Sequence, residues 1–180
     1  MDAITLLKDD HETVEKLFVR FEKLGGRAHK AKRDVVDRVI KELAIHAAIE
    51  ELVFYPAVKG VSEELTEHTL ESLEEHHVVK WLLSELEGME PTHERFTAKM
   101  TVLMENVRHH VEEEEDEFFP EVRKAFGRND LVELGDMLKQ AKKTAPTRPH
   151  PRSPDEPPGI AVAGLVSGLV DRVRDATRQR

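Results

Sequence analysis

The sequence has no cysteine, and aromatic residues fill only 5% of its 180 positions, with a single Trp and a single Tyr. Without thiols there is no disulfide framework, no thiolate nucleophile, and no cysteine-ligated zinc or iron–sulfur site. Redox chemistry therefore falls to histidine, carboxylates or the lone Tyr55. Scarce aromatics argue against a β-fold, whose strands favour aromatic and β-branched side chains, whereas 35% charged residues suits amphipathic helices. Positive charge is also short. A formal net charge of -9 argues against a nucleic-acid surface, which needs clustered Lys and Arg. No stretch reaches the roughly 18 apolar residues that a membrane span requires. The opening Met1-Asp2-Ala3 is acidic rather than an apolar leader, so the protein is expected to be cytoplasmic.

What the chain does have is a histidine followed by a carboxylate one helical turn later, twice: His46-x-x-x-Glu50 and His110-x-x-x-Glu114. Each copy runs on to an aromatic pair and a proline, Phe54-Tyr55-Pro56 and Phe118-Phe119-Pro120, with the proline ten residues after the histidine. Spacing of i and i+4 puts both side chains on one helix face.

Taken in order, the periodicity predicts a first helix from Asp2 to Leu24 whose apolar stripe, Ile4, Leu7, Val14, Phe18 and Phe21, is interrupted by His11. A second helix over 32–58 has the stripe Val36, Val39, Leu43, His46, Glu50, Val53 and Ala57. There an acid follows a base in the core, and a buried carboxylate needs a cation or a donor. Glu51, one position off the stripe, is either solvated or supports a neighbour. Ser62 is placed as the N-cap of a third helix from Leu65 to Gly88, with His76 in its stripe and His77 on a mixed face. A fourth helix runs from Pro91 to Phe126, its stripe ending Val107, His110, Glu114, Phe118. His109 and Glu113 lie off that stripe and read as surface residues, like most of the acidic run from Glu112 to Glu117. A short fifth helix, 130–142, is expected outside the bundle.

The expected organisation is therefore a helical domain over 1–143, a Pro-rich linker over 144–158, and a tail over 159–180. The tail's apolar run, Ile160 to Val170, is too short to span a bilayer. It either docks on the bundle, mediates a homodimer through Gly164 and Gly168, or rests on a membrane.

His11 and His76 are 65 residues apart, and His46 and His110 are 64 apart. A duplicated helical hairpin closes as an all-α, antiparallel up-down-up-down four-helix bundle. Each histidine alone has a bland explanation, a core imidazole bonded to a neighbour, but four arriving together do not. Four imidazoles and two carboxylates are too many for one tetrahedral zinc. They suit two six-coordinate ions, iron first and manganese second, leaving about four of about twelve positions for an oxo or hydroxo bridge, water, O2, H2O2 or NO. Tyr55 is a further candidate as ligand or electron donor. Ideal geometry turns it half a turn from His46, so it reaches the ions only if the helix distorts before Pro56; otherwise it is a rim aromatic.

This pattern, His11, His46-x-x-x-Glu50, His76 and His110-x-x-x-Glu114 with its prolines, resembles the hemerythrin-like (HHE cation-binding) family over residues 1 to 126. The resemblance implies a non-haem di-iron centre in a four-helix bundle. It implies one of several activities: peroxide breakdown, NO chemistry, oxygen or iron sensing, or iron–sulfur repair. Two departures stand out. Oxygen-carrying hemerythrins have a fifth histidine one turn after the third, where this chain has Lys80. They also use an aspartate five residues after the last histidine, where this chain has Glu114 at four and Glu115 at five. A reversible O2 carrier is thereby disfavoured. The expectation is an oxidoreductase that disproportionates H2O2 or acts on NO or O2; the alternatives are an iron or oxygen sensor, an iron donor, or a purely structural bundle.

Overall fold

The computed structural model describes residues 1–152. The tail expectations for 159–180 lie outside the described residues, as does the linker beyond residue 152. Among the described residues there is no strand. Helix α1 (Ala3–Glu22) starts at Asp2, whose carboxylate accepts from the Thr5 N–H at 3.0 Å. It pairs with α2 (His29–Ile49) across a short turn, then α4 (Glu63–Glu87) and α5 (Phe96–Glu113) form the second hairpin. Short connections oblige neighbours to run antiparallel. Ser62 caps α4 by accepting from the Leu65 N–H. Pro91 does not open the fourth long helix; residues 91–95 are turns, and α5 begins at Phe96.

Neither of the two histidine–glutamate helices stays α-helical to its end. Glu50–Phe54 and Glu114–Phe118 are π-helical, followed by the short helices α3 (Tyr55–Val58) and α6 (Phe119–Ala125). Pro56 and Pro120 explain this. A proline has no N–H for the carbonyl four residues back, and its ring crowds that carbonyl, so the preceding turn widens to i→i+5 bonding. The Tyr55 N–H donates to the Glu50 carbonyl, and the Phe119 N–H to the Glu114 carbonyl.

The apolar core falls into two parts. One, nearer the proline turns, gathers Ile4, Leu7, Ile49, Phe54, Leu65 and Phe118. The other gathers Phe18, Val36, Val39, Leu83, Phe96 and Leu103. Between them lies a polar layer of buried histidines and glutamates. Helix α7 (Arg128–Ala141) buries Leu131, Leu134 and Leu138 against α1 and the first π turn. Beyond it the chain turns towards α4, where Arg148 pairs with Glu87 and the buried Pro149 sits beside Trp81. No helix among the described residues is long and apolar enough to cross a membrane.

Gly135 is what lets α7 approach α1. A Cβ there would lie 2.4 Å from the Met1 carbonyl oxygen and 2.9 Å from the Ala3 nitrogen, both backbone. Gly→Ala inside a helix ordinarily stabilises by about 1 kcal/mol. Here Gly135→Ala is expected to destabilise the protein by about 1–3 kcal/mol through overpacking, read as a lower urea midpoint. A stabilised variant would show that α7 does not dock this closely.

Candidate metal centre

Each long helix sends one imidazole inward: His11 from α1, His46 from α2, His76 from α4 and His110 from α5. All four are buried, with the carboxylates of Glu50 and Glu114 fully enclosed between them. The Nε2 atoms meet in pairs, His11 with His46 and His76 with His110, each at 3.2 Å. Glu50 Oε2 lies 3.0 Å from His46 Nε2 and 3.4 Å from His76 Nε2. Glu114 Oε2 lies 3.4 Å from His11 Nε2 and 3.6 Å from His110 Nε2. Each carboxylate therefore spans imidazoles from both halves of the bundle. Two donor groups result, His11/His46/Glu50/Glu114 and Glu50/His76/His110, with donor atoms within 4.8 Å of one another in each. Glu50 belongs to both.

The outward nitrogens have carboxylate partners. His11 Nδ1 donates to Glu115 at 2.9 Å, His76 Nδ1 to Glu51 at 3.1 Å, and His110 Nδ1 to Glu75 at 2.7 Å. The fourth is looser: His46 Nδ1 and Asp10 are 3.8 Å apart, because Asp10 is drawn to Lys142. A carboxylate on Nδ1 fixes the tautomer with its lone pair on Nε2, the arrangement found behind metal-bound imidazoles. Lone pairs that face each other at 3.2 Å, beside two carboxylates, call for a shared positive charge.

The oxygens say the same. Both oxygens of Glu50 and one of Glu114 are buried without an aligned hydrogen-bond donor. An uncompensated buried carboxylate costs several kcal/mol, so this donor set fits cations that accept mixed nitrogen and oxygen ligands. Without a cation, protons must serve. Burial alone would lower the His46 pKa, but Glu50 and Asp10 outweigh it and raise it to about 10; Glu50 and Glu51 likewise raise His76 to about 9. Burial pushes Glu50 up, yet the His46 and His76 charges hold it well below the usual carboxylate range.

The π turn decides the place of Tyr55. Its extra residue rotates the following ring into the bundle, burying Tyr55 with its hydroxyl donating to Glu114 Oε1 at 3.1 Å and 3.2 Å from His76 Nε2. A rim position is thus replaced by one at the centre. In the other half Phe119 takes the matching place, stacked on His11 at 5.9 Å between ring centroids. Burial, then the Glu114 and Glu50 charges, push the Tyr55 phenol well above its ordinary range, so it stays a protonated donor.

A family model described as the hemerythrin HHE cation-binding domain matches residues 2–122. The chain belongs to this hemerythrin family. An uncharacterised hemerythrin-like protein of Schizosaccharomyces pombe is 32% identical over 140 residues, covering 77% of this chain and 69% of that one. A DNA nickase of Nostoc sp. is 25% identical over 142 residues, covering 79% of this chain but only 39% of the longer enzyme. The crystal structure of a hemerythrin HHE cation-binding domain-containing protein from Mycobacterium kansasii superposes with a TM-score of 0.66 at 23% identity. It covers 80% of this chain and 89% of that one, a likeness of fold.

In this hemerythrin-like chain the six polar side chains of the core stripes meet in one layer, and Tyr55 joins them. His109 is 64% exposed, beside Glu113 at 3.3 Å, and His77 is exposed. Lys80, standing where oxygen carriers have a histidine, turns from the centre and bonds Glu51 at 3.0 Å. Asp10, Glu75 and Glu115, the outer partners of His46, His110 and His11, lie off the apolar stripes, as does Glu51 beside His76. The repeat carried the signal: an acid precedes both His11 and His76, and an acid follows both Glu50 and Glu114.

Two outcomes follow from this geometry. His110→Ala or Glu50→Ala should abolish metal retention, whereas His109→Ala and His77→Ala should keep it within about twofold in elemental analysis, since exposed groups contribute little. Equal losses from His109→Ala and His110→Ala would contradict the register. Secondly, the raised imidazole pKa values stabilise the metal-free fold fully below 6.5, and that contribution is lost as pH rises through 9 to 10. The Tm of metal-free protein should fall over that window, and metal addition at neutral pH should release protons, measurable in weak buffer. Proton-neutral binding would exclude histidinium in the metal-free state.

Proposed function

We propose that the chain holds two non-haem iron ions, for which His11, His46, His76, His110, Glu50 and Glu114 would supply the ligands, and that it reacts with small oxidants. The activity the site supports best is disproportionation of hydrogen peroxide, with NO or O2 chemistry as a close relative. The observation that carries this reading is the ring of buried carboxylate oxygens without donors. Six side chains cannot fill the shells of two six-coordinate ions, so exchangeable positions remain. A purely structural ion would be enclosed by its ligands.

Two adjacent iron ions supply paired one-electron changes, so one peroxide can be reduced to water while another is oxidised to O2: 2 H2O2 → O2 + 2 H2O. The chain's own part is to exclude bulk water, hold the ions at fixed separation, and position a hydrogen-bond donor. Tyr55 is suited to the last task. Its phenol proton sits at Oη, 3.1 Å from Glu114 Oε1, in an apolar wall of Phe54 and Phe118. Held beside Glu114, the hydroxyl keeps its proton and offers a hydrogen bond to a nearby oxygen.

Iron-loaded protein should evolve O2 from peroxide faster than the same iron free in solution. Tyr55→Phe should keep its iron and lose about a hundredfold in turnover, as for the loss of one positioned hydrogen-bond donor. Two irons bound with no O2 above the free-iron rate would replace catalysis with the second reading, an iron or oxygen sensor or an iron donor. No iron retained would reject both.

A further inference from the structure

The duplication predicts two equivalent flanks around the centre, but the flanks differ. On the α2/α4 side, Lys80 reaches across with only 7% exposure to bond Glu51, and so fills the space beside His76. The repeat puts Glu15 in the position of Lys80, and Glu115 in that of Glu51. Two carboxylates cannot pair. Glu15 instead turns outward to Arg108, 2.8 Å away, and the same guanidinium binds Glu22 at 2.8 Å. What remains between α1 and α5 is a crevice of about 430 Å³, with His11 among the residues that line it. Its sides include Val14, Phe18, Val107 and Val111, while five carboxylates, set against Lys8 and Arg108, make it acidic.

We propose that reactants reach the buried centre through this α1/α5 crevice, and that its apolar sides and acidic surround select small neutral molecules over anions. Glu15 and Arg108 keep it open by holding each other at its edge, and Lys8, bonded to Glu115 at 2.9 Å, narrows it. An apolar slot costs a neutral diatomic or peroxide little, whereas an anion loses hydration and meets like charge. This proposal rests on the metal-centred reading above, and its test is built to fail separately.

One arm needs no metal. The chain lacks cysteine, so a single Val107→Cys and, at the repeat-equivalent site, Leu43→Cys report the two flanks; both native side chains are 5% exposed. Neutral iodoacetamide should alkylate Val107→Cys at least about tenfold faster than Leu43→Cys, and faster than anionic iodoacetate does, because opening cost and local charge set the rate. Equal rates at the two sites would overturn the route, and equal rates for the two reagents would overturn the charge selection. The other arm follows NO binding to iron-loaded protein. Val107→Trp, or the milder Val111→Phe should the first not fold, is expected to slow the on-rate about tenfold with iron content unchanged. An unchanged on-rate would overturn the route. A loaded parent that binds no NO would instead overturn the open-coordination reading, and the alkylation arm would still decide the crevice.

Discussion

Two carboxylates buried at the middle of a helical bundle set the terms for everything around them. Glu50 and Glu114 are almost wholly shielded from water, and three of their four oxygens have no aligned donor. Such charges are tolerated only beside compensating positive charge. The four imidazoles, their outer carboxylates, and the division of the apolar core into two parts are all arranged around that requirement. His46 and His76 can compensate in two ways, as histidinium without metal or as neutral ligands with it. Proton binding and metal binding are therefore competing states of one site.

The duplication gives the site its economy and its asymmetry. Positions 64 or 65 residues apart perform matching tasks: His11 with His76, Glu51 with Glu115, Asp10 with Glu75. Where the halves differ, the chemistry differs. Tyr55 offers a hydroxyl where Phe119 offers only a ring, and Lys80 fills a flank that Glu15 leaves to Arg108. A symmetric scaffold thus has a buried hydroxyl on one side and an acidic crevice on the other.

Much of this was legible in the sequence, because a polar residue inside an apolar stripe is costly without a reason. The register separated His110 from His109 and Glu114 from Glu113, and it located the hairpin repeat. It also placed the Ser62 cap. What it could not weigh was the consequence of Pro56 and Pro120. An ideal 3.6-residue helix keeps Tyr55 at the rim, and only the widened π turn carries it inward. The start of α5 was missed because Pro91 suits a turn as well as a first helical position. The outer carboxylates were obscured by the many surface acids near them, since in a chain this acidic a single Glu carries little information. Only comparison of the two halves distinguishes Glu115 from Glu113.

The most direct test of the central claim is an anomalous-scattering measurement at the iron edge on crystals of the full chain prepared under iron-replete conditions. The account predicts two peaks between the paired imidazoles, each within bonding distance of nitrogen and carboxylate oxygen, with Glu50 touching both. An interior without peaks, its imidazoles bonded to one another and to protonated carboxylates, would contradict it.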